Sequence, residues 1–133
     1  MRSMPTPMVL WTLAQVGLTV AACATPPRPG FVAIYRWTLK PGCDREVLDA
    51  WHQEASRYRD RYGSLGSRLH QSEDGSWVAT AFWSSRQAWA AAPRPLDLPV
   101  AEQVLNRCIE SKVEELHLTV EDDVPPGTPR SGP

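Results

Sequence analysis

Lysine is almost missing from this 133-residue chain: Lys40 and Lys112 stand against twelve arginines. The 14 basic and 15 acidic side chains leave a net charge of −1, too small an excess to neutralise a phosphate backbone or an anionic lipid surface. No nucleic-acid partner is expected. Cysteine is scarce too. Cys23, Cys43 and Cys108 are odd in number and far apart, with no CxxC pair and no histidine at metal-ligand spacing, which argues against a disulfide framework and against a structural zinc. A glycine-rich phosphate loop is also lacking. Gly63-Ser64-Leu65-Gly66 is short and leads into a strand pattern rather than a helix, so flavin or nicotinamide binding through such a loop is not expected. Ser64, Ser67, Ser84 and Ser85 lie in turn or cap contexts. Cys43, at a helix start that would stabilise a thiolate, has no recognisable base nearby, and nucleophilic catalysis finds no support.

What is present is ordinary globular composition, 42% hydrophobic and 22% charged, in a chain long enough for one domain. The ends differ from the middle. Residues 1–30 form a leader in which a single early Arg2 precedes an uncharged stretch, 8–22, that falls short of the roughly 20 apolar residues of a membrane span. Val20-Ala21-Ala22-Cys23 resembles the lipobox that precedes a lipid-modified cysteine. Two readings stand: an exported lipoprotein anchored through Cys23, or a cytoplasmic protein with an unstructured extension. Residues 123–133 are rich in Pro and form a tail that cannot build a core. The folded domain is expected at 31–122.

Within it, residues 31–39 read as a strand stopped at Lys40-Pro41-Gly42. From 44 to 62, Val47, Leu48, Trp51, Ala55, Tyr58 and Tyr62 recur at helical spacing, with Glu54 and the other charges mostly opposite. Asp74-Gly75 is a hairpin signal between strands at 67–71 and 77–83. A short helix follows with Ser84 as its N-cap, a second helix runs from Pro99 to about Ser111, and the alternation at 116–120 gives a last strand. The order β-α-β-β-α-β is ferredoxin-like: an α+β fold with a four-stranded antiparallel sheet and helices on one face.

Both faces of the sheet are largely apolar. Val32, Ile34, Val78, Thr80 and Phe82 share the face without helices, which predicts a homodimer that covers it. Six of the eleven aromatic residues are tryptophan. On the helix side, Ala33, Ala79 and Ala81 would floor a cleft walled by Tyr35, Trp37, Trp77 and Trp83 and roofed by Trp51, suited to a flat aromatic molecule; alternatively the same side chains simply fill a core. Of the histidines, His52 is expected in solvent and His117 outward on the last strand. His70, on one strand face with Arg68, is either an acid, base or anion anchor or an ordinary exposed histidine.

The run from Ile34-Tyr35-Arg36-Trp37 to Lys40-Pro41-Gly42, the helix leading to Tyr62-Gly63-Ser64-Leu65-Gly66-Ser67, and Trp77 to Phe82-Trp83-Ser84-Ser85-Arg86-Gln87-Ala88-Trp89 resemble the antibiotic biosynthesis monooxygenase family across about 30–122. The resemblance implies a dimeric α+β barrel and a cofactor-independent monooxygenase, using dioxygen on an aromatic polycyclic phenol or quinol without flavin, haem or metal. Trp83 matches the tryptophan that ends the third strand in family members. Tyr35 falls where many members carry asparagine, and no histidine lies between Trp83 and Leu116, which disfavours haem degradation. The expected site therefore has Trp83, Tyr35 and His70 as catalytic residues and Trp37, Trp51, Ala33, Ala79, Ala81 and Arg68 around the ring. The alternative is a non-catalytic ligand-binding or stress-associated module on the same fold.

Overall fold

Strand β1 (Phe31–Leu39) runs through the middle of a four-stranded antiparallel sheet of order β2-β3-β1-β4. The computed structural model describes residues 26–127. Cys23 with its lipobox-like sequence, the rest of the leader before 26 and the tail from 128 lie outside the described residues. Helix α1 (Asp44–Tyr62) follows β1, then the hairpin of β2 (Ser64–Gln71) and β3 (Trp77–Trp83), the short helix α2 (Arg86–Ala91), α3 (Pro99–Cys108) and β4 (Ile109–Thr119). The fold is ferredoxin-like α+β, with the helices on one face of the sheet.

Local chemistry sets the ends of these elements. Helix α1 carries Asp44 and Glu46 in its first turn and Arg59 and Arg61 in its last, each favourable to the helix dipole. Gly63 ends it in the left-handed conformation (φ 78°), its N–H bonding the Tyr58 carbonyl. In the β2–β3 hairpin, the Asp74 carboxylate accepts bonds from the Ser76 N–H (2.9 Å) and hydroxyl (2.6 Å) and pairs with Arg36 across the sheet. These hydroxyl and N–H bonds, reinforced by Arg36, hold its pKa down at about 2.

Cross-strand register fixes the core. Phe31 faces Trp83, Ala33 faces Ala81, Tyr35 faces Ala79 and Trp37 faces Trp77. All lie on the helix side, where Phe31, Ala33, Trp83 and Ala92 form one buried cluster and Trp37, Trp77 and Ala79 another. Full burial of one such large apolar side chain contributes roughly 1.5–3 kcal/mol.

Several boundaries and placements differ from expectation. β2 begins at Ser64, not 67, because a bulge between Ser64 and Gly66 brings the segment into the sheet. The cap of α2 is Ser85, whose hydroxyl accepts the Ala88 N–H at 3.1 Å, and not Ser84. Helix α3 stops at Cys108, and β4 starts at Ile109 and pairs with β1 along its length. Its polar first half carries no apolar alternation because it is an edge strand open to solvent. On α1, Leu48 is exposed and Ala50 is buried. His117 does not point outward. It sits opposite Ala33 on the helix side, with its ring 4.2 Å from that of Trp89, and Leu116 and Leu118 take the other face.

The largest correction concerns cysteine. Cys43 and Cys108 form a disulfide across 65 residues of sequence. Helices α1 and α3 pack side by side, so the start of one meets the end of the other with the two Cα atoms 5.7 Å apart, an adjacency that residue spacing does not reveal. It also removes Cys43 as a thiolate candidate. In the chain-entropy account a loop of this length contributes roughly 4 kcal/mol. Reducing the protein, or replacing both cysteines by serine, is expected to lower the unfolding free energy by a few kcal/mol in urea titration.

Among the described residues no helix covers the opposite face of the sheet. Val32, Ile34, Val78 and Phe82 lie there half-buried, joined by Leu116 at 37% and Leu118 at 42% exposure. An apolar strip of this kind favours self-association. Phe82→Asp is expected to give monomers or insoluble protein, since a carboxylate without a partner is strongly disfavoured in an apolar interface; an unchanged soluble dimer in sedimentation analysis would refute this.

Candidate functional site

Alternation along β1 and β3 creates a cleft of about 360 Å³ between the sheet and the helices, within the roughly 300–1,000 Å³ range of small-molecule sites. Small side chains make the room. Ala79 and Ala81 of β3 form the floor with Ser67 of β2; Tyr35 and Trp37 of β1 and Trp83 of β3 are the walls. Trp51, Glu54, Ala55 and Tyr58 of α1 and Leu105 of α3 roof it, and Ile109, Lys112 and Glu115 of β4 close one side with Arg94.

Six of the expected residues thus meet around one space: Tyr35, Trp37, Trp51, Ala79, Ala81 and Trp83. Ala33 does not line it. It is fully buried beneath, in the cluster with Phe31, Trp83 and Ala92. His70 and Arg68 do not reach it either. They pair with Val78 and Thr80 and so share the opposite face of the sheet, where the His70 ring bonds the Val78 carbonyl through Nδ1 at 3.1 Å. The helix-side residues of β2 are Ser67 and Leu69 instead.

Aromatic and charged groups are interlocked around the cleft edge. The indole N–H of Trp89 donates to the Tyr35 hydroxyl at 3.1 Å. The Trp89 ring also packs at a tilt against His117 and lies 4.3 Å from the Arg94 guanidinium, which is held by bonds to the Trp89 carbonyl at 2.8 Å and the Ala92 carbonyl at 3.3 Å. His117 Nε2 meets the Glu115 carboxylate at 2.9 Å, and Lys112 pairs with the other oxygen of Glu115. Lys112 and His117 together hold the Glu115 carboxyl below the usual range, Lys112 contributing more. Tyr58 donates to the Pro93 carbonyl at 2.9 Å, and burial pushes its phenol up to about 12.

Glu54 is different. Burial first, and the negative charge of Glu102 second, raise its carboxyl above the usual value, and among the described residues it has no ion pair or hydrogen bond. The indole nitrogens of Trp37 and Trp83 are likewise buried without an acceptor among the described residues, each unmade bond costing roughly 1–3 kcal/mol. Among the described residues no three His, Cys, Asp or Glu side chains gather closely enough to hold a metal ion.

Glu54, Tyr58, Arg94, Lys112 and Glu115 were not among the expected site residues. Glu54 lies on the cleft side of α1 and not on its polar side, and Trp51, Glu54, Ala55 and Tyr58 follow the three-and-four spacing of a single helix stripe, a signal available in the sequence. Lys112 and Glu115 carried none, because their strand showed no pattern.

A four-stranded sheet with helices over one face and an aromatic cleft between the layers is a ferredoxin-like α+β domain with room for a small molecule. Residues 30–93, just under half of the chain, match the family described as antibiotic biosynthesis monooxygenase. The domain's fold is shared by SnoaB, a cofactor-independent oxygenase from Streptomyces nogalater, at 18% identity over 72% of this chain and 97% of that one, with a TM-score of 0.59. Rv0793 from Mycobacterium tuberculosis matches at 20% identity over 71% and 98%, with a TM-score of 0.57. A conserved protein from Methanosarcina mazei matches at 10% over 71% and 95%, with a TM-score of 0.59. Likeness at such identities shows the fold alone. No curated protein matches the chain.

Two tryptophans now separate wall from core. Trp83 is 1% exposed and packs in the core as well as lining the cleft, whereas Trp51 is only half-buried. Trp83→Ala is expected to cost roughly 3–5 kcal/mol of stability. Trp51→Ala should leave urea unfolding much less changed but weaken binding of an aromatic ligand by at least the roughly 0.5–1.5 kcal/mol of a lost stacking pair, read by fluorescence titration. Equal loss of stability in both variants would make the set core rather than site.

Proposed function

We propose that the domain binds an aromatic polycyclic phenol or quinol in this cleft and oxygenates it with dioxygen, the substrate itself supplying the electrons. The observation that carries the reading is the alanine floor between indole walls: it leaves a flat, apolar space where large side chains would otherwise close the core. For an anthrone the balance is simple. The ring CH₂ loses two hydrogens and gains one oxygen as a carbonyl, while the second oxygen leaves as water with those hydrogens.

The protein's share is to stack the ring, exclude water and hold negative charge on the phenolate oxygen. Trp37, Trp51 and Trp83 would hold the ring, and Tyr35 would present its hydroxyl at one wall. Arg94, fixed by two carbonyls and by Trp89, supplies a positioned cation at the rim. His70 and Arg68, on the other face, have no part in this cleft. We place them instead beside the apolar strip where a second copy would pack as a homodimer.

A module that binds such a ring without oxygenating it is the second reading, favoured by the Tyr35 hydroxyl already being engaged by Trp89. Incubating the full chain with anthrone or 1-naphthol under oxygen distinguishes the two. Oxygen uptake with quinone formation is expected. Quenching of tryptophan fluorescence without uptake would select the binding module, and the absence of both would refute the proposal.

A further inference from the structure

Among the described residues, one cleft-lining carboxylate, that of Glu54, has no ion pair or hydrogen bond. Glu115 is already shared between Lys112 and His117, the Tyr58 hydroxyl is spent on the Pro93 carbonyl, and the Tyr35 hydroxyl accepts from Trp89. His117 packs against the Trp89 and Phe31 rings and does not line the space. His52 is exposed and His70 is on the far face. By elimination, one lining group can take a proton from a bound ligand. We infer that Glu54 is the proton acceptor of the cleft, taking the phenolic hydrogen of the bound aromatic so that it is held as its phenolate.

This rests on the oxygenase reading above and names the ionisation that reading requires. In the step, the ligand O–H bond breaks, an O–H bond forms on a Glu54 carboxylate oxygen, and the negative charge moves from Glu54 to the phenolate. The proton later returns to water. Helix geometry supports the assignment: Glu54 stands one turn from both Trp51 and Tyr58, so it reaches the ring that Trp51 would cover. The charges that act on it or are acted on by it are Glu102 on α3 and Tyr58 on its own helix, and the same cleft is lined by Tyr35 on β1, Lys112 and Glu115 on β4, and Arg94 at the rim. Glu102 repels the carboxylate charge and so favours the protonated Glu54 that the transfer forms, while Arg94 offers the phenolate charge a cation at the rim of the same cleft. Burial acts in the same direction by raising the basicity of Glu54 toward that of a phenol.

Sign and fold can be checked together. Because the folded chain binds the Glu54 proton more tightly than the unfolded chain, the contribution of this group to stability falls as pH rises above the ordinary carboxylate range. Glu54→Gln should therefore unfold at the same or a higher temperature than wild type at pH 7.

The test uses full-length wild type, Glu54→Gln and Glu54→Asp with 1-naphthol, whose anion has its own absorption band, and with anthrone for turnover. Wild type is expected to show the naphtholate band on binding. Glu54→Gln should bind 1-naphthol within about threefold of wild type but in the neutral form, and lose oxygen uptake by roughly 10²–10⁴-fold. Its rate should recover as pH approaches the ionisation of the free phenol, and Glu54→Asp should retain part of the activity. Wild-type turnover with Glu54→Gln unimpaired, or a neutral ligand bound to active wild type, overturns the proposal and leaves the oxygenase reading standing. A wild type that neither binds nor oxygenates either probe overturns both.

Discussion

The antiparallel register between β1 and β3 is the constraint on which the rest of this domain depends. It sets Ala33 against Ala81 and Tyr35 against Ala79, while Phe31 meets Trp83 and Trp37 meets Trp77 at the two ends. Large pairs at the ends prop the helices away from the sheet, and small residues between them leave the gap. A slip of one residue in one strand would turn its whole set to the other side. The strand would then place Val78, Thr80 and Phe82 under the helices and expose its indoles. Core and cleft are therefore consequences of one pairing, and Trp83 belongs to both.

Polar groups are distributed over that apolar frame in a consistent way. Those at the β4 side and rim satisfy one another: Lys112 with Glu115, Glu115 with His117, Arg94 with backbone carbonyls. The roof is different, because it holds Glu54 against Glu102 with no ion pair to Glu54 among the described residues. Carboxylates drawn partly out of water, as Glu54 is, are normally paired. An exception facing a ligand-sized space is where strain between stability and function is expected to accumulate.

Much of the fold was legible because its strongest signals are local. The alternation of β1 and β3, the three-and-four spacing of α1 and the Asp74-Gly75 turn each act within a few residues. The aromatic half of the cleft was legible for the same reason, since Tyr35, Trp37, Ala79, Ala81 and Trp83 follow from strand period alone. What escaped depends on three-dimensional neighbours. His117 was placed on the wrong side because Leu116 and Leu118 look like core residues; they belong to the apolar face that the helices leave open. His70 and Arg68 were linked to the cleft by their chemistry, but their register against Val78 and Thr80 puts them across the sheet. The first half of β4 is too polar to show a period, so Lys112 and Glu115 went unseen, and no spacing rule connects Cys43 with Cys108.

That cross-link joins the beginning of α1 to the end of α3, and the Glu46–Arg107 ion pair spans the same two ends. Farther along the same helices, Glu54 and Glu102 push against each other. One end of the roof is thus riveted and its middle is sprung. A displacement of the roof that leaves the disulfide intact would then be smallest at the riveted end and larger in the later turns of α1 and the proline-rich connection before α3. The doorway would lie near Tyr58 and Arg94, with the hinge at the sulfur bridge.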